Sequence, residues 1–145
     1  QERNGAAMAA VEIVVRLLDR GAPSIDMLNF VAFTLANERT RGDEARRFAW
    51  RALVQDPLNG YVVDTLGWTE RAAGAADAAR ATLARADRLS PGEGEILVHR
   101  AIVELELGAV GEARELATRA RAALDPADPA QALVDALFTK LGGKP

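Results

Sequence analysis

His99 is the only side chain able to serve as an imidazole base or ligand, because the sequence has one histidine and no cysteine. A nucleophilic or metal centre therefore has little to build from, since such sites combine several His, Cys or carboxylate groups. On a helix of this chain His99 reads as a surface or groove residue. Asp125, Asp128 and the scattered acids lack the Gly-punctuated spacing of a calcium loop. Pro91-Gly92-Glu93-Gly94 reads as a turn, with no following Lys-Ser or Lys-Thr to cradle a phosphate. No cofactor or metal is implied, and the chain reads as non-enzymatic.

The remaining chemistry is that of surface contact. Tyr61, Asp64, Trp68 and Arg71 recur at helical spacing along one stripe. A helix before it offers Phe30 or Phe33, Thr34 and Asn37; one after it offers Glu95, Val98, Ile102 and Leu105. Tyr, Trp and Arg are the types enriched at binding hot spots. The competing reading of Trp68 and Tyr61 is packing between helices, or cover by the chain's own termini.

These stripes are positioned by a repeating frame. Pro23, Pro57 and Pro91 stand 34 residues apart, as do Ala45, Ala79 and Ala113; Ala52, Ala86 and Ala120; and Arg51, Arg85 and Arg119. Gly74 and Gly108 keep the same ruler. Several residue types in one register announce a helical repeat array. Ala-rich composition suits it, because alanine favours helix and lets backbones approach closely.

In chain order, helices are expected at about 6–20, 26–39, 43–55, 60–73, 77–89, 95–107, 112–124 and 130–141. Asp128-Pro129 reads as the start of the last of these, an N-cap followed by proline in the first turn. That helix carries Leu133, Leu137 and Leu141 on one stripe and ends at Gly142-Gly143. The first helix is apolar almost all round (Met8, Val11, Ile13, Val14, Val15, Leu17, Leu18) and needs cover on most sides. An upstream helix or another copy of the chain is expected to supply it. Gly5 to Leu18, interrupted by Glu12 and Arg16, is too short and too charged to span a bilayer. The opening on Gln1 is what a processed form or an excised fragment would show.

The period, Leu66-Gly67, Gly74, Ala79, Ala86 and Pro91 together resemble the tetratricopeptide repeat. The resemblance implies that Gly67, Ala79 and Ala86 sit where helices cross, with Ala101, Ala113 and Ala120 equivalent in the next repeat and Ala45 and Ala52 in the previous one. In the first full repeat Ala32 looks like the small packing residue where simple spacing chooses Phe33; a one-residue shift taken up at Gly42 reconciles them. It further implies that first helices line a concave side that binds peptides or helices. The stretches 28–36, 56–60 and 64–68 also resemble a bacterial subgroup of envelope-associated adaptors. The branch that clamps chaperone tails uses Lys and Asn on these stripes; here they are mainly aromatic, aliphatic and acidic, so that ligand is not expected. Arg100 falls where the family has a buried leucine, and Glu70 and Glu104 where it has an aromatic. Buried charges need partners, so Arg100 is expected to meet Glu70 or Glu104.

The expected fold is all-α: a right-handed α-α superhelix of antiparallel helix pairs, a single domain over 1–145. Residues 1–24 form a half repeat supplying only a second helix, 25–58, 59–93 and 94–127 form repeats, and 128–145 form a C-terminal capping helix. The expected function is a protein-interaction scaffold or adaptor whose groove residues are Phe30, Thr34, Asn37, Tyr61, Asp64, Trp68, Arg71, Val98 and Ile102. Self-association through the N-terminal helix, or a regulatory module of a larger protein, are the alternatives. A net charge of −3 speaks against nucleic acid, since phosphate binding needs a clustered cationic surface. The compartment stays open between a bacterial envelope and the cytoplasm.

Overall fold

The computed structural model describes residues 2–38 and 40–142. Among them every regular element is an α-helix: α1 Glu2–Leu18, α2 Ile25–Ala36, α3 Gly42–Gln55, α4 Gly60–Ala72, α5 Ala76–Leu89, α6 Gly94–Glu106, α7 Val110–Ala123 and α8 Gln131–Lys140. The outer helices α3, α5 and α7 begin at Gly42, Ala76 and Val110, on the 34-residue ruler of the sequence. Arg39, expected to end α2, and Gly143, expected to end α8, lie outside the described residues.

Starts and stops have local causes. The Ser24 side chain accepts from the Met27 N–H, and Asn59 Oδ1 accepts from the Tyr61 and Val62 N–H groups. Each occupies free donors at a helix N-terminus. Gly74 and Gly108 turn the later hairpins at φ 84° and 81°, a conformation that costs glycine little. The α2–α3 connection runs over 37–41 where the others use only 73–75 and 107–109. α2 begins at Ile25, one residue ahead of the ruler set by Gly60 and Gly94, and α3 is back on it at Gly42, so Ala32 is buried and Phe33 exposed as the one-residue shift requires.

Within a pair, helices meet through small side chains. Ala45, Ala52, Ala79, Ala86, Ala113 and Ala120 are fully buried. A Cβ on Gly67 would stand 2.6 Å from Leu83 Cγ, and, at the seam between pairs, one on Gly42 of α3 would stand 2.6 Å from the Ala72 backbone of α4. These seams are packed too closely for added volume without movement. Between pairs, α2 packs on α4, α4 on α6 and α6 on α8, and each outer helix packs on the next inner one (α3 on α4, α5 on α6, α7 on α8), while α3, α5 and α7 do not adjoin one another. The first helices thus form a tight inner row and the second helices splay outside it. The result is a solenoid whose concave wall is α2, α4 and α6.

The two ends differ in how they match expectation. Val11 and Leu18 of α1 are buried against α2 and its neighbours, but Ile13 and Leu17 stay 60% and 50% exposed on the outer side. Asp128-Pro129 does not begin α8. The Asp128 carboxylate accepts from the Ala130 N–H, and three-residue turns bridge to a helix starting at Gln131. The buried stripe of α8 is Val134, Leu137, Phe138 and Leu141; Leu133 lies exposed at its margin.

Arg100 pairs with Asp87 rather than with Glu70 or Glu104. Asp87 lies on α5, packed beside α6, so the arginine finds a carboxylate on the outer row. Glu104 is taken by Arg80, 2.9 Å from Arg80 Nε to Oε1, and holds that guanidinium above its ordinary pKa. Glu70 Oε2 is buried without a hydrogen-bond partner among the described residues.

Candidate interaction groove

The concave wall carries two layers of side chains, one sealed and one open. In the sealed layer Asp64 of α4 and His99 of α6 are both buried, and His99 Nδ1 lies 2.9 Å from each Asp64 oxygen. A buried carboxylate needs such partners, because desolvation is otherwise uncompensated. The His99 ring stacks on Trp68, with centroids 4.3 Å apart and planes 25° from parallel. Trp68 is itself buried, and its Nε1–H donates to Asn37 Oδ1 on α2 at 3.2 Å. Arg71 lies over the indole at 4.4 Å and donates to Glu106 of α6 at 2.8 Å. Indole, imidazole, carboxylate and guanidinium thus bind the three first helices together.

This corrects the sequence reading of His99, which is neither a surface nor an open groove residue. It also relocates three expected groove residues: Asp64, Trp68 and Val98 are buried within the wall. Arg71, Thr34 and Ile102 are half-buried, while Phe30, Asn37 and Tyr61 are exposed.

The open layer forms clefts above that wall. One has a volume of 340 Å³ and crosses all three first helices. Phe30 and Phe33 of α2 and Tyr61 of α4 are 43%, 38% and 48% exposed, and they line it with Asp26, Asn29, Asp64, Thr65 and Glu95. Further along, Trp68, Arg71, Ile102, Leu105, Leu133 and Leu137 line a second cleft, of 210 Å³, with Glu106, Ala136 and Lys140. It lies between the wall and α8. The capping helix therefore closes one end of the groove instead of extending it.

Asp26, Asn29 and the α8 residues were missed in the sequence. Asp26 and Asn29 stand one turn and one residue before Phe30, a signal within reach; the placing of α8 depends on the 124–130 turn and had none. Glu93 and Glu95 next to the Tyr61 hydroxyl hold its pKa above the ordinary value, the Glu93 hydrogen-bonding interaction being the larger cause. Among the described residues no three potential metal ligands converge, and no helix is long and apolar enough to cross a membrane.

No family model matches the chain, and no curated protein matches it in sequence. Solved structures do resemble it. A thermophilic tetratricopeptide protein of Thermus thermophilus, TTC0263, superposes with a TM-score of 0.78 at 19% identity, over 95% of this chain and 76% of that one. The Yersinia enterocolitica type III secretion chaperone SycD, in complex with a peptide of the translocator YopD, gives 0.65 at 18%, over 81% and 91%. A structure of MamA gives 0.66 at 16%, over 97% and 82%. Identities this low speak for the fold alone, and the fold is that of tetratricopeptide repeat proteins.

Proposed function

From a tetratricopeptide fold with an open inner wall, we propose that this protein is a non-catalytic interaction scaffold that holds a peptide or helical segment of another protein in its concave groove. The observation that carries the reading is the cleft floored by Phe30, Phe33 and Tyr61, rings left in water on the side where the array curves inward. Exposed aromatic side chains on a rigid wall supply large contact area with few rotamers to freeze. A chaperone of this fold that was solved with a bound peptide supports the same reading. The residues assigned to contact are Phe30, Phe33, Tyr61 and Ile102, with Thr34 and Asn37 along the same face. Asp64, Trp68, Arg71 and Val98 build the wall beneath.

The test is affinity capture from the native host with the intact chain and with a Phe30→Ser/Tyr61→Ser variant. A partner retained by the first should bind the second at least ~2 kcal/mol more weakly at unchanged helical content. Equal binding by the folded variant would end the proposal.

A second reading, self-association through α1, is favoured by one specific observation. Leu17 stands where the later outer helices carry Arg51, Arg85 and Arg119, and with Ile13 it leaves an exposed apolar strip on α1. Sedimentation of the chain with and without residues 1–22 tests it: a mass that falls to the monomer on truncation supports it, and an unchanged mass removes it.

A further inference from the structure

We propose that the main cleft selects a partner segment bearing a lysine or arginine, and that it seats that cation among the rings of Phe30, Phe33 and Tyr61. This rests on the groove reading above and narrows it. Three features converge on one place. The cleft is walled by three aromatic rings from two helices, and a ring face attracts a cation through its quadrupole. Asp26 and Glu95, both exposed, stand at its rim in the first turns of α2 and α6. The negative field there is also felt by the Tyr61 hydroxyl, whose ionisation the neighbouring Glu93 and Glu95 oppose.

Glu93 meets the Tyr61 hydroxyl, but none of the three acids is neutralised from within. Among the described residues, Asp26, Glu93 and Glu95 form no ion pair, whereas Asp87, Glu104 and Glu106 all do. No Lys or Arg lines the cleft. Acids in first turns are favourable to their helices through the backbone dipole, which accounts for their presence on each helix separately. It does not account for two of them flanking the same aromatic cleft from α2 and α6. Charge complementarity therefore commits the site to a cationic side chain, and an acidic or purely aliphatic segment is the wrong occupant.

The experiment is selection of a random 12-residue peptide library on the immobilised intact chain, followed by affinity measurement of the enriched peptides. Lys or Arg should be enriched at one position, and replacing that residue by Gln should weaken binding about tenfold. Asp26→Asn/Glu95→Gln should weaken the basic peptide by a similar factor while leaving its Gln version unchanged. Enriched peptides without a required cation, but sensitive to Phe30→Ser/Tyr61→Ser, would overturn this inference and leave the groove reading standing. Peptides insensitive to the ring substitutions, or no enrichment, would overturn both. Circular dichroism of each variant confirms that the fold is intact.

Discussion

Trp68 and His99 lie ring on ring between α4 and α6, and each is tied at its far edge, Trp68 to Asn37 and His99 to Asp64. This stack makes the inner wall one body instead of three adjacent helices. His99→Ala should remove the stack and leave Asp64 buried without its partner. The expected cost is about 2–4 kcal/mol of unfolding free energy. Urea denaturation measures it, and a loss under ~1 kcal/mol would mean that the pair contributes little.

Trp68→Ala follows as a change in stability first and in binding second. Truncating a buried indole costs about 3–5 kcal/mol. Thermal unfolding should show the loss even with no partner present. A variant as stable as the parent would place the indole at the surface after all.

Three glycines should respond in three ways. Gly42→Ala drives a Cβ into the Ala72 backbone and Gly67→Ala drives one into Leu83. Overpacking of this kind costs about 1–3 kcal/mol. Gly42 should suffer more, because backbone yields less than a side chain. Gly111 meets nothing within 4 Å, so Gly111→Ala should stabilise α7 by up to about 1 kcal/mol. Denaturant midpoints of the three variants give the ranking.

Arg100 and Asp87 should be coupled. Their side chains are 19% and 14% exposed, so removing either leaves a poorly solvated charge. Arg100→Met or Asp87→Leu alone should cost about 1–3 kcal/mol, and the double variant less than the sum of the two. A strictly additive double variant would show that the pair does not interact in solution.

Glu44 sets a small pH dependence. The Arg41 side chain, hydrogen-bonded to it at 2.8 Å, holds the Glu44 pKa below its ordinary value of 4.5. A folded-state pKa that is depressed stabilises above the unfolded value, and that stability is lost as pH falls through the folded value. The pair is partly exposed, so the contribution is about 1 kcal/mol or less. Melting temperatures of the parent and Glu44→Gln should differ at pH 7 and converge in acid. A gap that persists in acid would assign the effect to something other than the ion pair.

The frame was legible because it is written in side-chain size. Ala79 and Ala86 recur at one interval, and the solenoid follows from the seams they permit. Gly60 and Leu89 begin and end helices where the pattern puts them. The groove was only half legible. Helical periodicity places Tyr61, Asp64 and Trp68 on one side of α4, but it does not say how deep each sits. Depth is set by the neighbouring helix: α6 brings His99 over Trp68 and Asp64, and Tyr61, a turn earlier, escapes. The partner of Arg100 was hidden for the same reason, since Asp87 precedes it on a different helix and no spacing within α6 points there.

The outer helices stand clear of one another while the inner row is laced by side chains. Each outer helix also packs on the next inner one, with Arg80–Glu104 and Arg100–Asp87 joining α5 to α6, so the arc is held at two depths. Cutting both the His99–Asp64 and Arg71–Glu106 links should release the hollow side while the outer seams hold, opening the arc. Small-angle scattering would see this as a longer particle with its helices intact.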